Sequence, residues 1–111
     1  MNKKIPYGLH KLDDNDIQAV VDILRKGNIT QGQTVDDFGQ ALADYAGAKY
    51  GVAVSSGTAA LHISVAALGI GPGDEVITTP MTFCATPNAV LYQGAEVKFV
   101  DINENTLNID P

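Results

Sequence analysis

From Lys49 onward, short runs of β-branched and apolar residues alternate with helix-length segments, and glycine, proline or small hydroxyl residues mark the switches. Tyr50-Gly51-Val52-Ala53-Val54 reads as a short buried strand, followed at once by Ser55-Ser56-Gly57-Thr58. Ala59 to Leu68 is apolar on most sides, as expected of a helix covered by other structure. Gly69-Ile70-Gly71-Pro72-Gly73 is a turn, Glu75 to Thr79 a second strand, and Pro80 its end. Thr86 can cap a further helix with Pro87 at its first position, where a missing N–H costs nothing. Gly94 ends that helix, and Val97 to Ile102 makes another strand. Parallel strands need a crossover between them, and a helix is the usual one. The alternation therefore predicts an α/β layer on a parallel sheet.

The first part of the chain has a different texture. Asp13 or Asp14 can cap a helix whose apolar residues Ile17, Val20, Val21 and Leu24 recur at i, i+3, i+4 and i+7, which places them on one face. Arg25 and Lys26 suit its C-terminus, and Gly27 suits its end. After the loop Asn28 to Gly32, Thr34 is the expected cap of a second helix, with Asp36 and Asp37 in its first turn. Phe38, Leu42 and Tyr45 form its apolar stripe, and Gly47 its stop. The expected organisation is thus a helical segment over 1–48 and the start of an α/β domain over 49–111.

Composition narrows the function. A net charge of −6 with scattered Lys and Arg argues against nucleic acid, whose phosphates demand clustered cations. No apolar run approaches the ~20 residues of a membrane span. Cys84 is alone, which fits a reducing, cytoplasmic setting. Asn108-Ile109-Asp110-Pro111 resembles a cap and first-turn proline for a helix that does not follow, and three strands are few for a sheet covered on both faces. The expectation is a chain cut within its fold; a small complete domain with a frayed tail is the alternative.

Ser55 to Thr58 carries the chemistry. It stands where a strand hands over to a helix, and N–H groups at a helix N-terminus bind phosphate. Gly57 admits a close approach, and the Ser56 and Thr58 hydroxyls add donors. A plain helix cap is the simpler explanation of the same residues. No G-x-x-x-x-G-K-[ST] loop occurs, and Gly69, Gly71 and Gly73 precede a strand instead of following one, unlike a dinucleotide fingerprint. Thr79 to Phe83 follows the second strand and should share a rim with Ser55 to Thr58, because ligands of open α/β sheets bind beyond strand C-termini. There Phe83 could face a flat cofactor, or sit in the core, while Thr82 or Thr86 offers a hydroxyl. His62 is read as a packing residue, and His10 and Cys84 are assigned no role.

The segments Ser55 to Leu61, Leu68 to Ile77, Thr82 to Thr86, Asn88 to Val90, Gly27 to Gly32, and Phe99 to Ile102 with Thr106 to Pro111 together resemble the DegT/StrS family. These are sugar aminotransferases of the aspartate-aminotransferase fold that use pyridoxal 5'-phosphate (PLP). The resemblance runs in order through nearly the whole chain. It implies the N-terminal part of a PLP fold type I large domain, truncated here. It implies that Gly57 and Thr58, with Ser56 beside them, hold the cofactor phosphate, and that Phe83 stacks on the pyridine ring. Pro6-Tyr7 and Asn28-Ile29-Thr30 most resemble the transaminases of the pseudaminic acid pathway. There the equivalents of Tyr7, Gly27, Asn28, Ile29, Thr30 and Ser56 contact a UDP-linked 4-keto sugar. The implied reaction moves an amino group from an amino acid, usually glutamate, to that keto group, in an active site built across a homodimer. The family's catalytic lysine lies beyond residue 111, and none of Lys3, Lys4, Lys11, Lys26, Lys49 or Lys98 matches it. These 111 residues alone are therefore expected to be inactive. A PMP-dependent dehydratase of the same family and a non-catalytic product remain the alternatives.

Overall fold

The computed structural model describes residues 5, 6, 8–26 and 28–110. The described residues form four helices and two strands in the order α1 (Asp14–Lys26), α2 (Gln33–Ala46), α3 (Gly57–Ala67), β1 (Glu75–Thr78), α4 (Ala85–Leu91) and β2 (Glu96–Phe99). They fall into two compact units that divide between Ala53 and Val54.

In the first unit, Asp13 starts α1 as expected. Its Oδ1 accepts from the Asn15 and Asp16 N–H groups at 2.9 and 3.1 Å, while the Asp16 carboxylate accepts from the Asp13 N–H at 3.0 Å. This reciprocal pair satisfies donors that a helix start otherwise leaves unpaired. The expected end at Gly27 lies outside the described residues. Helix α2 departs from expectation at its start. Gly32, extended and without a side-chain bond, is the cap, and Thr34 lies inside the first turn. The Gly32 carbonyl accepts from Val35 N–H at 3.0 Å, a tight turn that starts the helix two residues earlier than a Thr34 cap would. The stripe of Phe38, Leu42 and Tyr45 is exposed, whereas Gly39 and Ala43 are buried one position along. The reason is backbone contact. A Cβ on Gly39 would stand 2.8 Å from the Gly51 carbonyl oxygen, and one on Gly51 would overlap the Gly39 carbonyl oxygen. Two glycines let the chain after α2 lie directly on the helix.

The strand expected at Tyr50 to Val54 does not form among the described residues. No described residue forms a ladder with it, and Tyr50 and Val52 are exposed. β-propensity alone does not make a strand without a partner to receive its hydrogen bonds.

The second unit is a β1–α4–β2 crossover with α3 beside it. The strands pair in parallel, with Glu75 opposite Glu96 and Thr78 opposite Phe99. Helix α4 touches both strands and α3, and it buries Ala85, Ala89 and Val90; Ala95 joins them. Small residues allow this close layering, which fits an α/β fold. Pro87 is the third residue of α4, two positions later than expected, yet still in the first turn where its missing N–H is not needed. The turn before β1 matches expectation: Asp74 accepts from Gly71 N–H at 2.9 Å, and Gly73 takes a φ of 96°. After β2, Ile102 and Ile109 form an isolated antiparallel bridge.

Candidate functional site

Ser56 sets the geometry at the start of α3. Its backbone is extended, its Oγ accepts from the Ala59 N–H at 3.1 Å, and its carbonyl accepts from the Ala60 N–H at 3.0 Å. The cap thus takes the third helical donor. The N–H groups of Gly57 and Thr58 have no acceptor among the described residues. They point along the helix axis, where the dipole adds about half a positive charge. No cation completes this seat from its own unit. Lys98 is the one lysine or arginine of 54–111, against six carboxylates (Asp74, Glu75, Glu96, Asp101, Glu104, Asp110), and it is held by two of them. Attraction for an anion here comes from main-chain dipoles.

A cavity of about 590 Å³ opens beside the turn, walled by Gly57, Thr58, Leu61, Ser64, Phe83 and Ala85 among others. Phe83 lines this cavity and is 74% exposed. A large ring held open to solvent next to unpaired N–H groups is suited to a flat ligand with an anionic tail. A Cβ added to Gly57 would meet nothing within 4 Å, so the space over these donors is open. On donor chemistry and space, the residues fit the phosphate and ring of PLP.

The structure therefore brings together Gly57, Thr58 and Phe83, while Ser56 contributes through the cap. Asn28, Ile29 and Thr30 line a separate cavity of about 440 Å³ in the first unit, with Ile23, Lys26 and Asp37. Tyr7 and Gly27 lie outside the described residues. Sequence reasoning missed Leu61 and Ser64. Their signal was available, because 57, 61 and 64 follow the i, i+4, i+7 spacing of one helical face. The Thr82 and Thr86 hydroxyls bond each other at 3.1 Å instead of lining the cavity. His62 packs edge-on against Tyr92, ring centroids 5.2 Å apart. Cys84 is exposed, and no described group of His, Cys, Asp and Glu could hold a metal.

Known proteins resemble this chain in sequence and in fold. The spore coat polysaccharide biosynthesis protein SpsC of Bacillus subtilis is 48% identical over 110 residues, 99% of this chain and 28% of its own length. The UDP-4-amino-4,6-dideoxy-N-acetyl-beta-L-altrosamine transaminase of Campylobacter jejuni is 44% identical over 106 residues, 96% of this chain and 28% of its own. Among solved structures, NtdA of B. subtilis with bound cofactor PMP superposes with a TM-score of 0.78 at 42% identity, covering 86% of this chain and 22% of that one. The aminotransferase of Psychrobacter cryohalolentis gives 0.79 at 37%, covering 86% and 25%. The chain spans about 28% of the length of the curated relatives it matches. A profile of the DegT/DnrJ/EryC1/StrS aminotransferases matches residues 10–111. The chain belongs to the DegT/DnrJ/EryC1/StrS aminotransferase family.

Proposed function

We propose that this chain supplies the cofactor seat of a PLP aminotransferase that aminates a keto group on a nucleotide-linked sugar, in polysaccharide or amino-sugar biosynthesis. The observation that carries the reading is the convergence of two unpaired N–H groups, Gly57 and Thr58, with the exposed Phe83 ring on one cavity. When bound, PLP supplies the electron sink of the reaction. Gly57 and Thr58 anchor its phosphate and so fix the ring's position, and Phe83 covers one face and keeps water from it. Tyr7, Gly27, Asn28, Ile29, Thr30 and Ser56 shape the sugar side. The similarity to the Campylobacter jejuni transaminase favours a UDP-linked sugar, and the family resemblance makes glutamate the expected donor. The lone cysteine suits the cytoplasm, and the family resemblance makes the working enzyme a homodimer.

The test compares pyridoxamine phosphate with pyridoxamine. The phosphate form is expected to bind at least ~10-fold more tightly, since hydrogen bonds to charged groups contribute most at such a site. Equal affinity would sink the phosphate seat. Given PLP, glutamate and a UDP-4-keto sugar, the 111 residues alone should form no amino sugar, and borohydride should fix no cofactor on them, because none of their lysines matches the catalytic position.

A further inference from the structure

The loop that presents Phe83 contains hydroxyl contacts that neither the fold nor the cavity accounts for. Phe83 is 74% exposed, so burial does not hold its ring in place. Its neighbours are nevertheless tied down. Thr86 donates its N–H to the Phe83 carbonyl at 3.0 Å, and its Oγ1 reaches back one turn to the Thr82 Oγ1 at 3.1 Å. Thr86 thus fixes the backbone of Phe83 directly and that of Thr82 through the side chain. Upstream, the Thr79 hydroxyl accepts the Met81 N–H at 3.0 Å and stiffens the approach from β1. Neither Thr82 nor Thr86 lines the cavity, so neither touches what would bind there.

We propose that the Thr82–Thr86 hydroxyl pair positions Phe83, holding its ring over the cavity before a ligand arrives. The inference rests on the reading that Phe83 stacks on the cofactor. Ordering a ring in advance removes an entropy cost from binding, so the pair acts on affinity through Phe83 and not through contact. Valine keeps the shape of threonine and deletes the hydroxyl; serine keeps the hydroxyl.

The experiment is a double-mutant cycle read by calorimetric titration of pyridoxamine phosphate, which carries ring and phosphate but no aldehyde to react with lysine. Thr86→Val is expected to weaken binding about 3- to 10-fold, the range for one lost hydrogen bond. Thr86→Ser should bind like the parent. In a Phe83→Ala background Thr86→Val should cause no further loss, because the coupling runs through the missing ring. Unchanged affinity of Thr86→Val, or a loss that simply adds to that of Phe83→Ala, overturns the proposal. Should Thr86→Val fail to fold, Thr82→Val deletes the same bond from its exposed end and is read the same way. A Phe83→Ala variant that binds like the parent sinks the stacking reading itself, an outcome the Thr86 variants cannot mimic.

Discussion

Gly57 is the residue at which fold and ligand make opposite demands. It opens α3, where glycine is about 1 kcal/mol worse than alanine, and added bulk would meet no neighbour. Gly57→Ala is therefore expected to leave the melting temperature unchanged or raise it. Gly57→Val, which crowds the two N–H donors, should weaken pyridoxamine phosphate binding by about tenfold or more while the protein stays folded. Calorimetric titration beside thermal melts checks both; a variant that binds normally would show that the donors face nothing. Much of this was legible from the residues. Ser56 beside Gly57 reads as a cap, and the cap is what the structure shows. The exposure of Phe83 was not legible, since an aromatic beside apolar neighbours reads equally well as core, and only the tertiary arrangement decides.

At the scale of elements, local pattern and final form part company where packing is backbone on backbone. Periodicity placed α1, and apolar runs between turn residues placed α3 and the strand at Glu75, while the last strand starts at Glu96 and ends at Phe99, three residues short of the expected Ile102. For α2, periodicity assigned the apolar face to Phe38, Leu42 and Tyr45. Hydropathy cannot report that Gly39 and Gly51 meet through their main chains. Gly51→Ala should therefore destabilise the first unit by about 1–3 kcal/mol, the usual range for overpacking, measurable by urea denaturation. The strand pair offers a second test. Glu75 and Glu96 face each other in register, an arrangement that repels, and Lys98 bridges them at 3.4 and 2.7 Å. The Lys98 ammonium, bonded to Glu96, holds that carboxyl below its usual 4.5, and Glu96 followed by Glu75 raises Lys98 above its usual 10.5. Stability from Glu96 is present above its unfolded pKa and lost as pH falls through the lowered folded value. Stability from Lys98 is present below 10.5 and lost as pH rises through the raised folded value. The expected profile is a plateau between these limits with shallow shoulders, since all three side chains are exposed and salt screens them. Lys98→Met should flatten both shoulders in denaturation measured against pH.

Across the described residues, the buried apolar ones are four alanines and a valine, whereas Phe38, Phe83 and Phe99 all remain exposed. So little buried area cannot offset much chain entropy. Purified on its own, this 111-residue chain is expected to bind the dye ANS through its exposed aromatic rings. Fluorescence no stronger than that of dye in buffer would contradict that account. The α/β character was readable from alternation alone, and the chain divides between Ala53 and Val54. The anion seat itself has a consequence for descent. Under the proposed reading its donors are main-chain amides, so among substitutions only proline at 57 or 58 removes one and only bulk at 57 hides them. The side chains that wall the cavity, Leu61 and Ser64 among them, are then free to vary without loss of those donors.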